Sequence, residues 1–171
     1  MDRFTIEARV GSGGMGDIYR GIDRETNQVV AIKLLRPTAS PSERTRFARE
    51  IAILADLRHP NIVQYVGHGT WQDGRLFFAM EWLDGVDLEE RMQHAPLTVQ
   101  ESLALVRRAA DALGAAHERG IVHRDIKPSN LFLVGGEIEQ AKLLDFGIAR
   151  SRQATRPATR TGMLLGTPGY I

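Results

Sequence analysis

Hydrophobic and polar residues alternate along the first half of the chain with the period of two that is typical of β-strands. The clearest example is the run from Phe4 to Val10, in which every second residue is apolar. Turn-forming residues, such as those at 23–27 and 72–74, separate the strands from one another. The pattern predicts five strands, at residues 4–10, 17–22, 29–35, 62–70 and 75–81.

One carboxylate lies on the apolar stripe of the first predicted helix, which begins at the capping box of residues 40–43. This carboxylate is Glu50, and it would be costly to bury without a cation. Lys33, in an otherwise apolar strand, is the candidate partner. The same pair could also be a salt bridge that only fastens the helix to the sheet. The other stripe residues are Phe47, Ile51 and Leu54.

Beyond a connector at 81–86, the pattern changes from strands to helices. We expect a short helix at 88–94 and a long helix from the capping box of Thr98 and Glu101 to about Arg119. Short strands are expected at 131–134 and 141–144. His117 falls on the apolar stripe of the long helix, so we expect it to be a core histidine. The other residues of this stripe are Leu103, Val106, Ala110 and Leu113.

A cluster of glycines, GSGGMG, lies between the first two predicted strands. Gly11, Gly13 and Gly16 have the spacing G-x-G-x-x-G, and the strand-like sequence after them favours a strand–turn–strand flap over a dinucleotide-binding fold. Glycine allows backbone amides to approach phosphate oxygens closely. A hairpin turn with additional glycines explains the cluster equally well.

The densest polar chemistry is in HRDIKPSN, residues 123–130. This segment combines an imidazole, a guanidinium, a carboxylate, an ammonium and a carboxamide, which indicates a catalytic loop rather than an ordinary turn. A second acidic motif, Asp145-Phe146-Gly147, follows the last predicted strand.

Composition narrows the possible functions. The chain is 43% hydrophobic and 25% charged, which is typical of a soluble globular protein, and its 22 basic and 21 acidic residues do not indicate nucleic-acid binding. It contains no cysteine, which excludes disulfides, thiolate metal sites and cysteine nucleophiles. No apolar run reaches the roughly 18 residues of a membrane span, and the N-terminus is not a secretory signal. We therefore expect a cytoplasmic protein, unless sequence beyond residue 171 anchors it.

Four motifs resemble, in their order, those of the eukaryotic-type protein kinases, and in particular the serine/threonine kinases of that type found in bacteria. They are GSGGMG, VAIK (residues 30–33), HRDIKPSN and DFG. The resemblance covers residues 4–171. It implies a two-lobed α+β fold, with an N-lobe at 1–80 that contains a five-stranded antiparallel sheet and one helix, and a hinge at 81–86. The mainly helical C-lobe at 87–171 is incomplete, since the family's domain continues past the final GTPGYI. The missing helices would bury the apolar face of 98–119 and anchor the catalytic loop, so we expect a poorly stable, weakly active fragment.

The resemblance implies ATP and Mg²⁺ as cofactors and a protein serine or threonine as substrate. Asp125 would accept the proton of the substrate hydroxyl, and Lys127 would offset charge on the transferred γ-phosphoryl group. Asn130 and Asp145 would bind Mg²⁺ through oxygen atoms.

For nucleotide binding, the resemblance implies that Lys33 holds the α- and β-phosphates and pairs with Glu50. Asp87 would lie near the ribose. The residues that would cover the phosphates are Gly11, Ser12, Gly13, Gly14 and Gly16. The residues that would surround adenine are Ile18, Ala31, Met80, Glu81, Leu83 and Phe132.

The resemblance also assigns regulatory and packing roles. Arg124 matches the arginine that binds a phosphorylated activation loop, and Thr159 and Thr161 stand at matching positions of that loop. Lys127 and Thr167 resemble the serine/threonine branch rather than the tyrosine branch. The residues that match the internal hydrophobic spine are Leu54, Tyr65, His123 and Phe146, which makes His123 a packing residue rather than a general base.

Two other functions explain part of the pattern. A nucleotide-binding pseudokinase usually lacks at least one catalytic residue, whereas all are present here. A small-molecule phosphotransferase of the same fold would not be expected to surround its aspartate with Arg124 and Lys127. For the kinase, the expected partners are a protein substrate and a second copy of the chain during autophosphorylation, without nucleic acid.

Overall fold

The computed structural model describes residues 3–13, 16–37 and 41–146, which group into two compact units. The first unit comprises residues 1–56 and 64–83, and the second comprises residues 57–63 and 84–171. The segment 57–63 thus groups with the second unit, although it lies between elements of the first. Residues with predicted roles that lie outside the described ranges are Gly14, Ser40, Gly147, Thr159, Thr161 and Thr167.

Five antiparallel strands form the sheet of the first unit. They are β1 (Phe4–Gly13), β2 (Gly16–Asp23), β3 (Gln28–Leu35), β4 (Tyr65–Thr70) and β5 (Leu76–Glu81). Their order in the sheet is β1-β2-β3-β5-β4, so the predicted five-stranded antiparallel sheet is confirmed. The predicted strand at 62–70 begins too early, because Val63 belongs to the second unit and donates its N–H to the carbonyl oxygen of Leu143 at 3.0 Å.

The two faces of this sheet carry different residues. Along β3, Val30, Ile32 and Leu34 are buried in an apolar cluster with residues of β1 and β5. Successive side chains of a strand point to opposite faces, so Ala31 and Lys33 lie on the other face. The remaining buried members of the cluster are Phe4, Phe77 and Ala79.

The helix of the first unit, α1 (Pro41–Ala55), covers the Lys33 face. Phe78 of β5 is the register partner of Lys33, and its ring lies 6.4 Å from the ring of Phe47 on α1. Ile51 and Leu54 of the same helix are also buried, which agrees with the predicted stripe. The helical period of the stripe therefore places α1 and Lys33 on one side of the sheet.

The second unit contains two helices and a small sheet. The helices are α2 (Leu88–His94) and α3 (Val99–His117), and α3 begins with the predicted capping box of Thr98 and Glu101. The strands β6 (Gly85–Asp87), β7 (Leu131–Val134) and β8 (Ala141–Leu143) form a sheet in that order. No helix among the described residues is long and apolar enough to span a bilayer.

The predicted apolar stripe of α3 is largely exposed among the described residues, and the buried side chains lie on a second stripe. Leu105, Ala112 and Ala116 are buried, whereas Leu103 and Val106 are 67% and 65% exposed. The helix carries two apolar stripes, and the one rich in alanine packs toward β8 because small side chains allow a close approach. The prediction that His117 is a core histidine is wrong, since this side chain and Ala110 are exposed.

We predict that the two leucines of α3 differ sharply in their contribution to stability. Leu105→Ala should lower the free energy of unfolding by about 2–4 kcal/mol, because it removes a buried side chain and leaves a cavity. Leu103→Ala, the matched control, should change it by less than about 0.5 kcal/mol. Urea unfolding followed by circular dichroism measures both values. Equal losses would mean that the stripe containing Leu103 is buried instead.

Candidate active site

The loop at 123–130 enters the interior of the second unit through a left-handed turn. Arg124 has a φ of +64°, a conformation that is uncommon for any residue except glycine. This turn leaves Arg124 exposed, while the flanking His123 and Asp125 are only 1% and 5% exposed. Backbone conformations of this kind cost about 1–3 kcal/mol and are concentrated at functional sites. The loop therefore holds a strained backbone that places a carboxylate in the interior.

His123 is fixed by both of its ring nitrogens. Its Nδ1 atom accepts the backbone N–H of Asp125 at 3.2 Å, and its Nε2 atom lies 2.7 Å from the carbonyl oxygen of Leu144. These partners require a neutral ring that carries its proton on Nε2. Burial lowers the pKa of the imidazole, although Leu144 and nearby carboxylates act in the opposite direction. The ring also packs on Phe146 at a centroid distance of 4.7 Å, so His123 supports the loop rather than transferring protons.

Asn130 holds the carboxylate of Asp125 in place. Its Nδ2 atom donates to the backbone oxygen of Asp125 at 2.7 Å and to its Oδ2 atom at 3.2 Å. The Nζ atom of Lys127 lies 3.5 Å from the same Oδ2 atom. A buried carboxylate with a fixed orientation is suited to accept a proton from a hydroxyl group within hydrogen-bond reach.

The short turn Pro128–Asn130 positions Asn130. Within it, the N–H of Asn130 donates to the carbonyl oxygen of Lys127 at 3.0 Å. Proline suits the first position of this turn, because its φ is fixed and it has no N–H that would need a hydrogen-bond partner. The side chain of Asn130 is 5% exposed, so the amide has one predominant orientation toward Asp125.

Leu144 joins Asp145 to the same loop. The N–H of Leu144 donates to the carbonyl oxygen of Asn130 at 2.8 Å, and its own carbonyl oxygen accepts from His123. Asp145 itself has a φ of +51°, a second left-handed residue. The two predicted Mg²⁺ ligands, Asn130 and Asp145, are thus connected through one backbone hydrogen bond.

The donor set of these two residues fits Mg²⁺. The Nδ2 atom of Asn130 is turned toward Asp125, which leaves its oxygen directed elsewhere, and Asp145 supplies a carboxylate. Mg²⁺ is usually held by one or two such ligands together with phosphates and water rather than by a complete protein cage. The described residues contain no group of three or more His, Asp or Glu that could hold a metal ion.

In the first unit, four of the predicted nucleotide-binding residues share one face of the sheet, namely Ile18, Ala31, Lys33 and Met80. Ile18 is the register partner of Lys33, and Met80 is the partner of Ala31. Cross-strand partners project to the same side, so these four side chains lie on one face. Lys33 is 6% exposed, and Glu50 is half-buried on the helix that covers this face. The Lys33–Glu50 pairing itself stays a prediction.

The glycine-rich segment connects β1 and β2 as a hairpin, which agrees with the predicted strand–turn–strand flap. Two glycines of this segment differ in how much space surrounds their Cα atoms. A Cβ atom on Gly16 would clash with the carbonyl oxygen of Leu34, so the fold requires glycine at this position. A Cβ atom on Gly11 would meet only Ile18, at an ordinary 3.8 Å. Packing therefore does not require glycine at position 11.

Two predicted nucleotide contacts have structural partners of their own. The Oε1 atom of Glu81 accepts the N–H of Gln64 at 2.8 Å, and the N–H of Glu81 donates to the carbonyl oxygen of Gln64 at 2.9 Å. The side chain of Asp87 caps α2 by accepting the N–H of Glu90 at 2.8 Å. Sequence patterns missed Gln64 and Leu144, because both act mainly through backbone atoms that leave no signal in residue type.

Other proteins share this sequence organisation. Residues 4–171 match the family described as "Protein kinase domain". The chain is 38% identical over 177 residues to the serine/threonine-protein kinase pkn3 of Myxococcus xanthus, covering 99% of this chain and 32% of that protein. It is 39% identical over 166 residues to the serine/threonine-protein kinase PknD of Mycobacterium tuberculosis, covering 95% and 24%. The chain thus spans less than a third of the length of these relatives.

We predict that His123 makes stability depend on pH. Its pKa is lower in the folded chain than the ordinary value of about 6.5, so the unfolded chain takes up the proton first. The stabilisation is therefore complete above pH 6.5 and is lost as the pH falls toward the folded-state pKa. In His123→Phe, the free energy of unfolding should be lower at pH 7.5 but should fall less between pH 7.5 and pH 5. Urea unfolding across this range measures both slopes, and equal slopes would contradict the prediction.

Proposed function

Because the chain belongs to the protein kinase domain family, we propose that it transfers the γ-phosphoryl group of ATP to a serine or threonine hydroxyl of a protein. The observation that carries this proposal is the buried carboxylate of Asp125, which Asn130 and Lys127 orient. The specificity for serine and threonine is supported by the names of the relatives, which are serine/threonine-protein kinases.

In the proposed reaction, Asp125 accepts the proton of the substrate hydroxyl while the hydroxyl oxygen forms a bond to the γ-phosphorus atom. The bond between this phosphorus and the bridging oxygen of ADP breaks, and ADP leaves with the electron pair. Lys127 offsets the negative charge on the transferred group. Asn130 and Asp145 would hold Mg²⁺, which supplies neutralisation of the phosphate charge. Positioning and electrostatics supply most of the catalysis in this reaction class.

We assign the nucleotide to the Lys33 face of the first unit. Lys33 would contact the α- and β-phosphates, with Glu50 as its partner, and Gly11 would let the backbone approach the phosphates. The remaining nucleotide contacts are assigned as the resemblance implies. In this proposal, the N-lobe covers residues 1–80, the hinge 81–86 and the C-lobe 87–171. A cytoplasmic site of action is part of the same proposal.

We predict that Asp125→Asn lowers the rate of phosphoryl transfer about 10²–10⁴-fold, because the amide cannot accept the proton. The assay uses ATP labelled at the γ-phosphate, Mg²⁺ and a generic protein substrate, followed by phosphoamino-acid analysis. Asp111→Asn, an exposed aspartate of α3, is the matched control and should retain the wild-type rate.

The same assay has two outcomes that overturn the proposal. Wild-type protein that binds ATP but transfers no phosphate would be a nucleotide-binding scaffold. A product that is mainly phosphotyrosine would exclude the proposed specificity.

We further propose that phosphorylation of Thr159 and Thr161 activates the enzyme by bringing phosphate to the exposed guanidinium of Arg124. The double variant Thr159→Ala/Thr161→Ala should lose at least about tenfold in kcat, and Arg124→Ala should lose a similar factor. Measuring the rate before and after incubation with ATP tests the activation. Full activity of the double variant would rule out this mechanism.

A further inference from the structure

A cluster of charged side chains lies on the far side of the glycine-rich hairpin. Asp17 follows the last glycine, and its register partners are Ser12 on β1 and Leu34 on β3. Leu34 belongs to the apolar cluster on the sheet face opposite to Lys33. Since cross-strand partners share a face, the side chains of Ser12 and Asp17 point away from the proposed phosphate side.

The carboxylate of Asp17 joins three elements. Its Oδ1 atom accepts the hydroxyl of Ser12 at 2.9 Å and a guanidinium N–H of Arg9 at 2.7 Å. Its Oδ2 atom lies 3.8 Å from the guanidinium of Arg75, which Asp73 in turn holds at 2.7 Å. The hydroxyl of Ser12, followed by these cations, lowers the pKa of Asp17, so the carboxylate is charged throughout the neutral range.

These contacts act on a segment that is costly to order. Glycine loses more conformational freedom than any other residue when it is fixed, and Gly11, Gly13 and Gly16 surround Ser12. A ligand that orders a loose segment loses affinity by the cost of ordering it. A contact that fixes the hairpin beforehand, and that does not touch the ligand, therefore strengthens binding.

We propose that Asp17 is a positioning residue for nucleotide binding, which holds the glycine hairpin from its far face through Ser12 and Arg9. This inference rests on the proposed function. It also changes the role of Ser12, whose hydroxyl is engaged by Asp17, so that Ser12 contributes to phosphate binding through its backbone. The alternative is that the cluster consists of ordinary surface ion pairs, which contribute little to stability and nothing to binding.

The first experiment compares Asp17→Asn with wild type in steady-state kinetics. The variant should raise the KM for ATP about three- to tenfold and change kcat less than about twofold, since it removes two ion pairs and weakens one hydrogen bond. Ser12→Ala should raise KM by a smaller factor, and Asp17→Glu, which keeps the charge, should restore part of the loss. Glu25→Gln is the matched control, because Glu25 forms an exposed ion pair with Arg3 at the other end of β2. It should leave KM unchanged.

A second measurement separates this inference from the proposed function. The dissociation constant of a fluorescent MgATP analogue is measured in the Asp125→Asn background, where no transfer is expected, with and without Asp17→Asn. Amide hydrogen exchange of the nucleotide-free protein is measured across residues 11–13 and 16–18, where Asp17→Asn should accelerate it.

Three results would overturn the inference. The first is that neither the KM for ATP nor the exchange rate responds to Asp17→Asn. The second is that Asp17→Asn lowers kcat at constant KM. The third is that Glu25→Gln raises KM as much as Asp17→Asn does. If Asp17→Asn left the dissociation constant of the MgATP analogue unchanged, this inference alone would be overturned. A wild-type chain that binds no nucleotide would overturn the proposed function together with it.

Discussion

A buried carboxylate needs hydrogen bonds and a counter-charge around it. Many of the contacts in the second unit provide these for Asp125 or hold the groups that do. Ionised groups are costly to bury unless hydrogen bonds and counter-charges surround them. Asn130 donates one hydrogen bond to the carboxylate and a second to the backbone oxygen of Asp125, and Lys127 supplies a positive charge. Asn130 can do so only because the turn at 128–130 and the backbone of Leu144 fix its position, and Leu144 also anchors His123. Disrupting the turn at 128–130 or the hydrogen bonds of Leu144 would therefore disturb the carboxylate indirectly.

In our proposal, the two faces of the sheet in the first unit have different roles, packing on one face and nucleotide binding on the other. One face holds the apolar cluster around Ile32, and the other carries Lys33 under α1. The period of two along β3 makes this separation possible, because it sends alternate side chains to opposite sides. The glycine hairpin continues the same division. Gly11 and Ile18 lie on the Lys33 face, while Ser12 and Asp17 lie on the other.

Sequence patterns predicted those parts that depend on residue type and periodicity. The five strands, the α3 capping box and the buried stripe of α1 follow from them. On α3 they identified one apolar stripe and missed a second, the one with Leu105, which is buried by tertiary packing. They could not show the hydrogen bonds of Leu144 and Gln64, since any residue has the same backbone groups. The contacts of Asp17 with Ser12 and Arg9 were missed because they depend on cross-strand register.

The central claim is that the oriented carboxylate of Asp125 receives the proton of the substrate hydroxyl. A crystal structure of the protein with an MgATP analogue and a serine-containing peptide tests it most directly. The distance between the serine Oγ atom and the nearer carboxylate oxygen of Asp125 should be about 2.6–3.2 Å, with the bond from Asn130 retained. A serine hydroxyl bound more than about 4 Å away without a bridging water, or an Asp125 turned away from Asn130, would contradict the account.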